Sequence, residues 1–218
     1  MSVSAAPSYS LYDAFAPLYA DCRLHVFPDD RVTVTAALDL RAARSVLELG
    51  CGPGFYATTI AAAFPALRVT GIDRAPAQIE LARRRARGLT NAAFAVGDAR
   101  ALAQPRGTYD RVLASRLLMV VPERAAVLTE ARRVLRPGGV LLLAEPTRPA
   151  MGVLSLLRHA AWEAGNVVRS IEPTEEHYFS APSFRAFVLS QAWASVAIWE
   201  ANGYRYARCR TCAQRDIP

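Results

Sequence analysis

Lysine is absent, and all 26 basic residues are arginine. This arginine- and alanine-rich composition is that of a GC-rich genome, so the net charge of +7 is not by itself a nucleic-acid signature. The arginines are scattered. The one dense run, Arg83, Arg84, Arg85 and Arg87, falls on a predicted helix, where a charge run is ordinarily a solvated face. Such a surface leaves open a weak attraction to an anionic membrane surface. Cysteine is scarce as well: Cys22, Cys51, Cys209 and Cys212 are too few for a disulfide scaffold. Cys209 and Cys212 have CxxC spacing, but zinc needs four ligands and no second pair exists, so no metal site is expected. No apolar run is long enough to span a bilayer, and no basic segment followed by an apolar core opens the chain. A cytoplasmic, soluble monomer or homodimer is the expectation. No internal repeat or low-complexity tract is found.

What remains is an ordinary globular composition, 52% hydrophobic over 218 residues, enough for one α/β domain. Strands are predicted at 45–49, 68–73, 92–96, 109–114 and 140–145, with helices at 55–64, 76–87 and 122–135 between them. Strands apolar throughout and alternating with helices give a parallel sheet covered on both faces, and right-handed crossovers make it doubly wound. Before this core, 9–22 (kinked by Pro17) and 32–40 read as helices of an N-terminal cap over 1–44. After it, 150–164 reads as an apolar helix, 165–181 as irregular, and 182–191 as a helix with Ser180 as its N-cap. The runs 194–200 and 204–210 flank Asn202-Gly203, the strongest short hairpin signal. The fold class expected is therefore α/β: a Rossmann-like, mostly parallel sheet of seven strands ending in an antiparallel hairpin. One domain over 1–218 is expected, with 45–145 as the ligand-binding core.

Gly50, Gly52 and Gly54 follow the first strand directly, where glycines let the backbone turn with φ > 0 and approach a ligand. A lone glycine turn does not identify the ligand. Three details narrow it. Phe55 stands where a dinucleotide fingerprint carries its last glycine, Glu48 lies inside the strand where such a site is apolar, and Asp98 follows the third strand. Asp73, closing the second strand, suits a ribose diol. The structural alternatives are that Asp98 caps a turn, Asp73 caps the helix at 76, and Glu48 pairs with an arginine.

From Val46 to Glu145 the chain resembles the class I S-adenosylmethionine-dependent methyltransferases. The small-molecule enzymes typified by the ubiquinone/menaquinone-biosynthesis methyltransferases are the look-alikes. LELGCGPG, VTGID, FAVGDA, YDRVLASRLLMVVP and LRPGGVLLLAEP carry the resemblance, in unbroken order. It implies S-adenosyl-L-methionine as cofactor and S-adenosyl-L-homocysteine as product. It also implies that Gly50, Cys51, Gly52 and Gly54 pass under the methionyl part, with Glu48 anchoring or orienting the ammonium. Asp73 would bind the ribose, Arg74 would flank the adenine, Asp98 would accept from its amino group, and Ala99 would pack on the ring. Ser115 and Arg116 would face the methionyl end, and Tyr12 and Tyr19 match a segment that often closes over the cofactor. Residues 146–218 would then supply acceptor-side helices and the terminal hairpin.

A sulfonium methyl is already electrophilic, so a general base is needed only for an acceptor that arrives protonated. His177 and, at the carboxyl end of strand 5, Glu145 are the candidates. His25 and His159 are read as surface or structural. Met119–Val120 stands where many relatives carry a histidine pair, so no base is inferred there. The Asn-Pro-Pro-Tyr motif of nucleic-acid amino methyltransferases is absent, as is any clustered basic stripe, so a small molecule rather than nucleic acid is the expected acceptor. The apolar helix around 151–162 either packs on the sheet or roofs an apolar acceptor. The alternative function is a non-catalytic adenosylmethionine-binding or scaffold protein of the same fold.

Overall fold

The computed structural model describes residues 29–147 and 179–213. The elements in chain order are α1 (Arg31–Leu38), a 3-10 turn (Leu40–Ala42), β1 (Ser45–Leu49), α2 (Phe55–Ala63), β2 (Arg68–Asp73), α3 (Pro76–Arg85) and β3 (Ala92–Val96). Then come β4 (Tyr109–Ser115), α4 (Arg124–Val134), β5 (Leu135–Pro146), α5 (Ala181–Leu189), β6 (Ser195–Ala201) and β7 (Tyr204–Arg210). The seven strands form one sheet in the order β3-β2-β1-β4-β5-β7-β6. β7 pairs antiparallel with both β5 and β6, so it alone runs against the other six. The mostly parallel sheet and its reversed terminal strand are as expected.

Alternation within the strands divides the core in two. Leu47, Val112, Leu141 and Leu143 point to the face covered by α4 and α5, where Val127, Leu128, Val134, Phe184 and Val188 are fully buried. Val46, Val69, Leu113 and Leu142 point to the face covered by α1, α2 and α3, through Leu38, Ile60 and Ile79. Each fully buried Val, Leu or Ile contributes about 1.5–3 kcal/mol, so the two layers fix the sheet and with it the strand ends. The hairpin turn has Asn202 at φ +51° and Gly203 at φ +75°, both left-handed as a type I′ turn requires. Ser180 caps α5 by accepting from the Ser183 N–H at 3.2 Å.

Strand 5 differs from its expected bounds. It begins at Leu135, which pairs with Tyr109 before a register shift at Arg111. Pro137–Gly138–Gly139, read as a turn, is instead an irregularity within the strand: Gly138 takes φ +75° and its N–H donates to the Cys212 carbonyl at 2.9 Å. The helices expected at 9–22 and 150–164 lie outside the described residues, as do Tyr12, Tyr19 and His177. Among the described residues no helix is long and apolar enough to cross a membrane, and no group of three or more His, Cys, Asp or Glu is placed to hold a metal ion.

Candidate functional site

The first strand delivers the chain into a turn of three left-handed glycines, Gly50 (φ +64°), Gly52 (φ +51°) and Gly54 (φ +77°). Side chains resist this backbone. Gly50 is doubly required, because a Cβ there would lie 2.7 Å from Leu117 Cδ1. Asp73, at the end of β2, ties the turn down: one oxygen accepts from the Gly52 N–H at 2.8 Å, the other from the Ala75 N–H at 2.9 Å. It therefore bridges the glycine turn and the entrance to α3, whose N-cap is Ala75. A carboxylate has about four lone-pair directions, so two amides are compatible with accepting a diol. Cys51 is buried, and burial reinforced by Glu48 and Asp73 holds its thiol well above the ordinary range. It is a neutral packing group beside Gly71.

Glu48 is 2% exposed and accepts from the Ala57 N–H at 2.8 Å. It thus satisfies one of the amides that the start of α2 leaves unpaired, in place of a side-chain cap at Gly54. At the neighbouring strand end Asp98 meets Arg100 at 2.8 Å and Arg74 at 3.7 Å, and Arg100 continues to Glu123 at 2.5 Å. The Arg100 hydrogen bonds hold the Asp98 carboxyl below its ordinary range. Asp98 also accepts from the Arg100 N–H at 2.9 Å, the turn-capping role weighed above. Ala99 beside it is buried.

The carboxyl end of β4 gathers residues that sequence reasoning placed and others that it missed. Ser115 donates to the Tyr56 hydroxyl at 3.1 Å, and Tyr56 donates to Asp30 at 2.5 Å. Tyr206 donates to the second Asp30 oxygen at 3.1 Å, and burial together with Asp30 raises the phenol's pKa. Asp30, only 2% exposed, thus joins α1, α2 and β7. Arg116 follows at φ +55° and donates to the Tyr204 hydroxyl at 2.9 Å. Leu118 N–H donates to Glu145 Oε1 at 2.9 Å, while Glu145 Oε2 has no hydrogen-bond partner. Burial pushes the Glu145 carboxyl up to about 8. No local signal pairs Asp30 with Tyr206, 176 residues away, and Tyr56 reads in sequence as one more apolar helix position.

The donor set fits an adenosyl cofactor: a turn with side chains omitted at alternate positions, and half-buried carboxylates at the end of β2 and just after β3. A doubly wound sheet with one reversed strand, carrying this set at its switch point, defines a class I S-adenosylmethionine-dependent methyltransferase. A family model described as a methyltransferase domain matches residues 46–139. The trans-aconitate 2-methyltransferase of Methylobacterium radiotolerans is 35% identical over 189 residues, covering 79% of this chain and 68% of the relative. An uncharacterized 37.1 kDa protein in transposon TN4556 of Streptomyces fradiae is 45% identical over 111 residues, 50% of this chain. The chain spans only 32% of that relative's length. Among solved structures, a putative S-adenosyl-L-methionine-dependent methyltransferase from Methanococcus maripaludis shares the fold. Its TM-score is 0.71 at 14% identity, covering 100% of this chain and 99% of that one. The chain belongs to the class I S-adenosylmethionine-dependent methyltransferases, with S-adenosyl-L-methionine as cofactor.

Proposed function

We propose that this protein methylates a small carboxylate-bearing acceptor. The observation that carries the reading is the Asp73 bridge to a turn of three left-handed glycines, in a chain 35% identical to a trans-aconitate 2-methyltransferase. Aconitate is a tricarboxylate, and a basic protein suits such an acceptor.

In this reading Gly50, Cys51, Gly52 and Gly54 line the methionyl part of the cofactor, and Glu48 orients them through the start of α2. Asp73 takes the ribose hydroxyls, while Asp98, Ala99 and Arg74 take the adenine. Ser115 and Arg116 stand at the methyl-transfer end, and Tyr12 and Tyr19 close over the cofactor. When bound, the cofactor would supply an electrophilic sulfonium methyl, to which an acceptor carboxylate oxygen would bond in line as the sulfur–methyl bond breaks, leaving a methyl ester and S-adenosylhomocysteine. The protein's own contribution is alignment, which is worth roughly 7–11 kcal/mol in favourable cases. A carboxylate is ionised at neutral pH and needs no base, consistent with Met119–Val120 after β4 and with a Glu145 bonded to backbone. An alcohol or phenol would need one, with His177 as its candidate. A soluble cytoplasmic monomer or homodimer is the form in which it would work. No observation favours a non-catalytic scaffold.

Calorimetry with adenosylmethionine and adenosylhomocysteine tests the cofactor, and the expected result is binding of both. Methyl transfer from labelled cofactor is then measured on a panel of di- and tricarboxylates that includes trans-aconitate. Failure to bind either cofactor overturns the reading. Binding without methylation of any acid overturns the acceptor class. His177→Ala separates the acceptors further: an unchanged rate supports a carboxylate, and a fall in rate with loss of the acidic limb of the pH profile supports a protonated nucleophile.

A further inference from the structure

Asp30 is the N-cap residue of α1, yet its side chain makes no capping hydrogen bond to that helix. An aspartate in this position ordinarily accepts from an amide of the first turn. Here the carboxylate, 2% exposed, is turned instead to two phenols: Oδ1 accepts from Tyr56 at 2.5 Å and Oδ2 from Tyr206 at 3.1 Å. Burying a charge is costly unless hydrogen bonds replace its water, so these bonds fix where both tyrosines sit.

The two arms lead to different places. Tyr206 lies in β7, stacked 5.2 Å from Trp199 of β6, on the far side of β5 from the glycine turn. Tyr56 is the second residue of α2, two positions past Gly54, and its hydroxyl also accepts from Ser115 at the carboxyl end of β4 at 3.1 Å. The glycine turn and the start of α2 are thereby held by carboxylates from three elements. Asp73 of β2 takes the Gly52 N–H at 2.8 Å, Glu48 of β1 takes the Ala57 N–H at 2.8 Å, and Asp30 takes the Tyr56 hydroxyl. A turn of three left-handed glycines has many alternatives open to it as a free chain. Tying it down at both ends before a ligand arrives removes an ordering cost from binding.

We infer that Asp30, which lies outside the matched residues 46–139, is a positioning residue for the cofactor: acting through Tyr56, it holds the start of α2 so that the glycine turn is already formed when S-adenosyl-L-methionine binds. The inference deepens the methyltransferase reading and rests on the glycine turn as the cofactor's seat. It needs no contact between Asp30 and the ligand.

The test uses the full chain as wild type, Tyr56→Phe, Tyr206→Phe and Asp30→Ala, with adenosylhomocysteine affinity measured by calorimetry beside urea unfolding. Each tyrosine variant removes one donor from Asp30, so the two should lose comparable stability. The expected result is adenosylhomocysteine affinity about five- to fiftyfold weaker in Tyr56→Phe, a part of the factor a charge-assisted hydrogen bond is worth, and within about twofold of wild type in Tyr206→Phe. Asp30→Ala should weaken binding about as much as Tyr56→Phe, and combining the two should weaken it no further, because both break the same link. Unchanged adenosylhomocysteine affinity in Tyr56→Phe overturns the inference. So does an equal loss in Tyr206→Phe, which is what a general loosening of the network gives, and so do losses that multiply in the double variant. Should Asp30→Ala fail to fold, the two tyrosine variants decide alone. A wild type that fails to bind adenosylhomocysteine overturns the methyltransferase reading itself.

Discussion

Replacing Glu145 by glutamine should remove a large part of the loss of stability at neutral and alkaline pH. The side chain is 3% exposed, accepts one backbone hydrogen bond from Leu118, and carries a second oxygen without a partner. Burial lifts its carboxyl from the ordinary 4.5 to about 8, against the opposing pull of the Leu118 N–H and the Arg124 guanidinium. The folded value is the higher one, so the folded protein favours the neutral acid. The stability this contributes is fully present below about pH 4.5 and is lost as pH rises through about 8. At 1.36 kcal/mol per unit the whole interval corresponds to about 5 kcal/mol, of which about 3 kcal/mol is gone by pH 7. Glutamine does not ionise and keeps an oxygen for the Leu118 N–H. It also adds an amide with no partner, a pH-independent cost of about 1–3 kcal/mol. Urea unfolding of both proteins at pH 5, 6.5 and 8 isolates the effect, since all other titrations cancel in the difference. The variant should gain on the wild type by several kcal/mol from pH 5 to pH 8. Parallel curves would refute the reasoning. Turnover by the variant should stay near wild type, because a neutral group that positions Leu118 gives up no proton; a hundredfold fall in kcat with the fold intact would make Glu145 the base.

Other substitutions address the turn, the polar network and the core. Gly50→Ala forces a Cβ to within 2.7 Å of Leu117 Cδ1 at φ +64°, so it should cost about 1–3 kcal/mol in urea unfolding and weaken adenosylhomocysteine binding measured by calorimetry. Tyr56→Phe removes a donor from buried Asp30 and should cost a further 1–3 kcal/mol, roughly, whereas Ser115→Ala, which leaves that donor in place, should cost less. Gln78 is 2% exposed with neither amide atom hydrogen-bonded, so Gln78→Met should stabilise the protein by about 1–2 kcal/mol and raise the melting temperature by a few degrees. Of the described cysteines, Cys212 is exposed while Cys51 and Cys209 are buried, with the Cys209 thiol pushed up to about 12. Peptide mapping after brief treatment with a thiol reagent should find Cys212 labelled, and Cys51 and Cys209 labelled only after unfolding.

The parts of this structure legible in the sequence are those encoded by neighbouring residues. Apolar strands separated by amphipathic helices fixed the parallel sheet, Asn202-Gly203 fixed the reversed strand, and glycine at alternate positions after β1 marked the turn. Leu135 escaped because its pairing with Tyr109 lies across the sheet and the intervening Pro137–Gly138 looks like a break. Asp98 was placed after β3 as an acceptor for a ligand or a turn cap, but its ion pairs with Arg100 and Arg74 had no local signal. Glu145 was placed at the correct strand end, but its burial depends on the loop after β4 folding back over it. Asp30 could not be found at all: its significance rests on two tyrosines, 26 and 176 residues away.

These long-range contacts converge on four consecutive residues. Ser115 reaches Tyr56 and, through it, Asp30; Arg116 reaches Tyr204; Leu117 abuts Gly50; and Leu118 is held by Glu145. One short stretch therefore fastens α2, β5, β7 and the glycine turn together, all at the switch point of the sheet. In-line methyl transfer depends on fixing the acceptor relative to the donor, so a segment bonded to both sides of the site is where small displacements cost most. Substitutions at Ser115, Leu117 or Leu118 should accordingly lower kcat more than they weaken cofactor binding. Substitutions at Asp73 should do the reverse, because Asp73 holds the glycine turn and the start of α3 together. Measuring kcat and adenosylhomocysteine affinity for Leu118→Ala beside Asp73→Asn distinguishes the two roles, and equal effects on both quantities in both variants would show that this stretch does not couple donor to acceptor.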